Sequence, residues 1–86
     1  MSGEVTVLYF ARLREAVGTS EERIVLPESI ANAGALLEHL AASDEQKKFA
    51  FEGQDIKIAV NQEQATPATP IAPGDEVALF PPVTGG

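Results

Sequence analysis

The chain opens and closes its body on strands, with one long helical run between them, and that order constrains the fold more than any other feature. Val5-Thr6-Val7-Leu8-Tyr9-Phe10 is short, β-branched and aromatic, as a strand requires. The charged stretch Ala11 to Glu15 follows it, and Gly18-Thr19-Ser20-Glu21-Glu22 is turn material. Arg23-Ile24-Val25-Leu26, ended by Pro27, predicts a second strand and a hairpin with a long connection. Ser29 is the predicted N-cap of a helix from about Ile30 to Ala42. In it Ile30, Ala33, Gly34, Leu37, Leu40 and Ala41 recur at helical spacing as one apolar stripe. Ser43 and Gln46 fit a capping box opening a short second helix, Asp44 to Phe51, that ends near Gly53. Ile56, Ile58 and Val60 alternate in a third strand, and Asn61-Gln62 starts a turn. Residues 63–72 contain Pro67 and Pro70, which predicts irregular backbone or a weak edge strand. Pro73-Gly74 suits the centre of a type II turn, and Glu76-Val77-Ala78-Leu79-Phe80 is the last strand. There is no internal repeat and no linker.

Two strands, a helix, then two or three more strands predict an α+β domain with a mixed sheet packed on one main helix. The β-grasp, or ubiquitin-like, roll fits that order over residues 1–80, with residues 81–86 as a flexible, extended tail. In that roll the first and last strands lie side by side in the middle of the sheet. Alternation then sends Val5, Val7 and Tyr9 to one face and Thr6, Leu8 and Phe10 to the other. If the first set packs on the helix, Leu8, Phe10, Ala59, Ala78 and Phe80 remain on the outer face. An exposed apolar patch of that kind marks a protein partner, with Phe10, Phe80, Leu8 and Ala78 as its contact residues. The alternative, that a loop or the 61–72 segment covers it, stays open at this point.

The tail carries the chemistry. Pro81-Pro82-Val83-Thr84-Gly85-Gly86 ends on a glycine, whose carboxylate has no side chain to hinder a nucleotide or nucleophile. The two prolines favour extended backbone. Six extended residues reach on the order of 20 Å, far enough to place the terminal carboxylate inside a partner. An inert end is the plain alternative, but such ends are usually polar, and this one is apolar and uncharged.

Composition excludes several classes. Eighty-six residues predict one small domain. A net charge of −7 disfavours a nucleic-acid binder, which needs clustered Lys and Arg, and suits a basic protein partner. No run is apolar and long enough for a membrane span. Met1-Ser2-Gly3-Glu4 lacks a basic region and an apolar signal core, so the expected compartment is the cytoplasm. Without cysteine, any sulfur the chain carries cannot be a cysteine persulfide. One histidine and no cysteine give no metal set. His39 reads as a solvent-facing helical residue, Asp75-Glu76 as a solvated strand start, and Arg12 and Arg14 as loop charges facing water.

Phe10-Ala11-Arg12-Leu13-Arg14-Glu15, Ala59-Val60-Asn61, Pro73-Gly74-Asp75-Glu76-Val77 and above all Phe80-Pro81-Pro82-Val83-Thr84-Gly85-Gly86 resemble the small subunits of molybdopterin synthase, the sulfur carriers of molybdenum cofactor biosynthesis. The resemblance runs over essentially the whole chain and is weakest over Glu45 to Asp55 and Ala65 to Ile71. It implies that an adenylyltransferase and sulfurtransferase resembling the ubiquitin-activating class adenylates Gly86 with ATP, and that a thiocarboxylate follows. The tail, with Gly85, Thr84, Val83, Pro82 and Pro81 in the partner's channel, would then deliver sulfur to cyclic pyranopterin monophosphate. The implied partner is the large synthase subunit, in a heterotetramer. No bound cofactor is implied, and the catalytic acids and bases would be the partner's. The alternatives are a carrier for thiamine or tRNA sulfur, a ubiquitin-like modifier of lysines, and a plain binding module.

Overall fold

The computed structural model describes residues 3–53 and 55–82. Among them run β1 (Glu4–Tyr9), α1 (Arg12–Val17), β2 (Glu21–Val25), α2 (Ala33–Ser43), α3 (Glu45–Phe51), β3 (Lys57–Val60), β4 (Glu63–Ala65) and β5 (Glu76–Phe80). The five strands form one sheet in the order β2-β1-β5-β3-β4. β1 and β5 pair in parallel, while the β1–β2, β3–β5 and β3–β4 pairs are antiparallel. This mixed sheet, with its first and last strands adjacent at the centre, is the expected β-grasp roll.

Alternation decides which side of the sheet is covered. Val5, Val7 and Tyr9 of β1 and Val77 and Leu79 of β5 are at most 1% exposed, and they pack with Leu36 and Leu40 of α2 in the core. Each such aliphatic side chain removed from water contributes about 1.5–3 kcal/mol. Two tight turns fix the register. Asn61 and Gln62 both take positive φ, 51° and 71°, which matches a two-residue type I′ hairpin between β3 and β4. Gly74 takes φ 97° while Asp75 N–H donates to the Ala72 carbonyl at 3.1 Å, the expected turn at Pro73-Gly74.

The helices depart from expectation in three places. The stretch expected as a charged connection, Ala11 to Glu15, enters a helix, so Arg12 and Arg14 are helical rather than loop residues, though both are exposed as expected. Leu13 and Val17, four apart, bury its one apolar side, and Gly18 at φ 92° closes it by donating to the Arg14 carbonyl at 2.9 Å.

The main helix starts at Ala33, not Ile30, and its cap is Asn32 rather than Ser29. The Asn32 side chain accepts from Ala35 N–H at 2.8 Å. Asn32 is held extended, at φ −144° and ψ 170°, because Ile71 N–H donates to Ala31 O and Ala33 N–H donates to Thr69 O, each at 3.0 Å. The later start comes with a different buried set: Ala33, Leu36 and Leu40 are buried, and Gly34, Leu37 and Ala41 only half-buried. Gly34 sits where Pro67 approaches; a Cβ there would lie 3.0 Å from the Pro67 ring.

The expected capping box also shifts by one residue. Ser43 ends α2, its hydroxyl donating to Leu40 O at 3.0 Å, and Asp44 caps α3 by accepting from Gln46 N–H at 2.8 Å. The Gln46 side chain, freed from the box, donates to Ala16 O at 2.8 Å and ties α3 to α1.

Candidate functional site at the outer sheet face

Opposite the helices, the strands present a row of apolar side chains. Register aligns Leu8 with Ala78 and Ala78 with Ala59 across three strands, and sets Lys57 beside Phe80. Phe10, one residue past β1, stacks on Phe80 with ring centroids 4.7 Å apart and planes 7° from parallel. Such pairs contribute about 0.5–1.5 kcal/mol beyond their buried area. Phe10 stays 40% exposed, and Leu8, Ala59 and Phe80 are half-buried. Ala78 shares the face but is only 6% exposed: a methyl group on the central strand, with Leu8 and Ala59 as its register partners, forms the floor of the patch rather than its rim.

The 61–72 segment does not cover this face along its later part. Its residues 67–71 bond to the start of α2, with Gly34 N–H donating to Pro67 O at 2.8 Å. Pro81 and Pro82 follow Phe80 and are half-buried. The chain end therefore leaves from the central strand, directly beside the aromatic stack. Val83, Thr84, Gly85 and Gly86 lie outside the described residues.

The backbone beside the stack is held from both sides. Phe10 N–H donates to Leu79 O, and Leu13 N–H donates to Phe10 O, both at 3.1 Å. Between them Ala11 takes φ 54° and ψ −130°, a conformation that suits glycine and strains alanine by about 1–3 kcal/mol. That bend lets β1 end at the stack and α1 begin at once.

Beneath the outer face lies a polar network that the sequence pattern does not announce. Tyr9 O–H donates to Glu22 Oε1 at 2.6 Å, and Lys47 Nζ meets the same oxygen at 2.6 Å, with Asp44 Oδ2 at 4.0 Å. Burial, reinforced by the bond to Glu22, pushes the Tyr9 phenol well above its usual range. Lys47 is 9% exposed, so one carboxylate joins β1, β2 and α3 inside the fold. Its parts are 13 and 25 residues apart in the chain, and no local pattern connects them.

Other expected residues fall away from the patch. His39 is half-buried on α2, in the helix layer, rather than solvent-facing. Asp75 is not simply a solvated strand start: its carboxylate accepts from Ala72 N–H at 2.8 Å and from Asn61 Nδ2 at 3.0 Å, while Asn61 Oδ1 accepts from Glu76 N–H at 2.9 Å. These bonds clamp the two turns that flank β5. Among the described residues no cluster of three His, Cys, Asp or Glu is placed to hold a metal, and no helix is long and apolar enough to cross a membrane. The site as described offers apolar docking and a directed chain end.

Comparison with known proteins gives this arrangement its context. Residues 7–86 match the model of the ThiS family. The chain is 40% identical over 82 residues to the molybdopterin synthase sulfur carrier subunit of Escherichia coli (strain K12), covering 95% of this chain and 99% of that one. Among solved structures, SAMP1 from Haloferax volcanii superposes with a TM-score of 0.79 at 32% identity, covering 98% of this chain and 100% of that chain. A chain from the protein-protein complex of subunits 1 and 2 of molybdopterin-converting factor from Helicobacter pylori 26695 superposes with a TM-score of 0.63 at 25% identity, over 96% and 99% of the two chains. A β-grasp sheet with a bare apolar face, running into Gly85-Gly86 and matching over nearly its whole length, places this chain in the ThiS family, alongside the sulfur carrier subunits of molybdopterin synthase.

Proposed function

We propose that this chain is the sulfur carrier subunit of a molybdopterin synthase, with the Gly86 carboxyl carbon as the atom that carries the sulfur. The observation that supports it best is that β5, with the Phe10–Phe80 stack at its end, is followed directly in the chain by the Pro81-to-Gly86 run: a docking face with the reactive residues next in sequence. A carboxylate is a poor electrophile, so a separate adenylating enzyme first joins it to AMP from ATP and releases pyrophosphate. A sulfur donor then displaces AMP and leaves a thiocarboxylate. With no cysteine in the chain, that terminal group is its transferable sulfur.

The large synthase subunit docks on Leu8, Phe10, Phe80 and the Ala78 floor and takes Pro81, Pro82, Val83, Thr84 and Gly85 into its channel. There the thiocarboxylate sulfur passes to cyclic pyranopterin monophosphate, and the spent carboxylate returns for recharging. Two such transfers supply the two sulfurs of the dithiolene. Acids, bases and phosphate-binding groups come from the partners, ATP is used by the activating enzyme, and the cycle runs in the cytoplasm. Residues 1–80 act as the docking body and 81–86 as the working arm.

The test is the intact mass of the chain after incubation with its activating enzyme, ATP and sulfide. The expected result is a gain matching one oxygen replaced by sulfur, absent when Gly86 is deleted, with an unchanged melting midpoint in the deletion. No gain, with an activating enzyme competent on a known carrier, would overturn the proposal. The likeness to SAMP1 favours one second reading, a protein modifier. Conjugates on a denaturing gel that require Gly86 would favour it over the sulfur carrier.

A further inference from the structure

Phe49 is 76% exposed, the barest of the large hydrophobic side chains among the described residues, and neither the core nor the outer sheet face uses it. It is not on a loose element. α3 is fixed to the sheet by Lys47 on Glu22 and to α1 by Gln46 on Ala16 O. Phe49 borders a cleft of about 180 Å³ with Arg12, Leu13, Ala16, Ala50 and Pro81. Pro81 is the residue that follows Phe80. The chain therefore passes at Pro81 between the Phe10–Phe80 stack on the sheet side and, on the helix side, the Phe49 cleft, whose lining is part apolar and part polar.

The cleft also carries a charge of unusual sign for this protein. Arg12 is exposed and makes no ion pair among the described residues, in a chain of net charge −7. Its complement is a carboxylate beside an apolar pocket. Area points to the durable partner rather than the transient one. A lasting subunit contact buries about 800 Å² on each side, through some 20–30 residues. The sheet patch offers five apolar residues, one of them 6% exposed, and falls short of that alone. Both partners release the carrier each cycle, but the relative from Helicobacter pylori is solved in complex with subunit 2 of molybdopterin-converting factor. It is therefore the synthase contact that holds firmly enough to need the larger surface.

We propose that Phe49 and Arg12 form a second lobe of the surface that seats the large synthase subunit, with Phe49 entering an apolar pocket and Arg12 pairing with a carboxylate. This rests on the sulfur-carrier proposal above. The two lobes grip the partner on both sides of Pro81, and their separation orients the arm toward the channel.

The experiment is calorimetric titration of the full chain, its Phe49→Ser variant and its Arg12→Glu variant into the large subunit from the same organism. Thermal melting of each variant serves as a check on the fold. Each change is expected to weaken binding by about tenfold or more, as central interface residues do, while the melting midpoint stays put. Unchanged affinity in both variants, with the unaltered chain binding well, would overturn the second lobe and leave the sulfur-carrier proposal standing. So would a variant that loses only self-association, seen by sedimentation, because the lobe would then seat a second copy. Failure of the unaltered chain to bind the large subunit at all would overturn the sulfur-carrier proposal itself.

Discussion

The two faces of the central strands share one backbone ladder and differ by a single residue step. On β5, Leu79 is fully buried beneath the helices while Phe80, its neighbour, keeps part of its ring in water and stacks on Phe10. Tyr9, the last residue of β1, is 1% exposed, and Phe10, the next residue, 40%. The inner residues are constrained by the volume the helices leave, so a lost methylene there is a cavity. The outer residues are constrained by what docks on them. Stability and recognition are thus separated by the pleat of the sheet rather than by distance along the chain, and each can be altered with little effect on the other.

Leu79→Ala is the change expected to act most strongly on the inner face. It should cost about 3 kcal/mol of stability. At about 4–8 °C for each kcal/mol in a domain of this size, the melting midpoint should fall by roughly 12–24 °C. Phe80→Asp should weigh the other way: a stability loss of about 0.5–1.5 kcal/mol from the broken stack, and affinity for the large subunit lowered by about 2 kcal/mol or more, on the order of thirtyfold. Comparable losses of stability in the two variants would break the contrast, because Phe80 would then be a core residue.

Tyr9 tests where the inner face turns polar. Its phenol has a raised folded-state pKa, so the folded chain holds that proton more tightly than the unfolded chain does. The resulting stability is complete below the unfolded value of about 10 and drains away as pH rises through and beyond it, by up to about 1.4 kcal/mol per pH unit. Denaturant unfolding from neutral to strongly alkaline pH should show that decline. Tyr9→Phe should remove the Tyr9 share of the slope and cost about 1 kcal/mol at neutral pH, because Glu22 keeps Lys47 as a partner. An identical alkaline slope in the variant would mean the decline belongs to other groups.

The smallest effect is expected at the hinge between the faces. Ala11→Gly relieves a backbone conformation that alanine tolerates poorly. After the added unfolded-state freedom of glycine, the net gain should be about 1 kcal/mol, read as a rise of roughly 4–8 °C. A fall in the midpoint would show that Ala11 is not strained in the folded chain.

Much of this was legible because it is local. Alternation in Val5 to Phe10 and Glu76 to Phe80 named both faces correctly, since side-chain direction in a strand has a period of two whatever surrounds it. Asn61 and Pro73-Gly74 announced their turns through residues suited to those backbone angles. What went unread depended on contacts between distant segments. α1 buries two side chains in six residues, Leu13 and Val17, too few for a helical pattern, and their burial comes from tertiary packing. Asn32 caps α2 instead of Ser29 because residues 69–71 hold the segment before it extended. With α2 starting at Ala33, Leu36 is fully buried in place of Leu37.

By itself the sequence determined the strand faces and the succession of strands and helices that suits a β-grasp, because each follows from residues and their near neighbours in the chain. Tertiary structure alone decided that Glu22 joins Tyr9 to Lys47, that Asp75 clamps two turns, and that Phe49 and Arg12 stand beside Pro81. Those meetings join residues far apart in the chain, and the free energy that selects them comes from closing the whole sheet and its helices over one core.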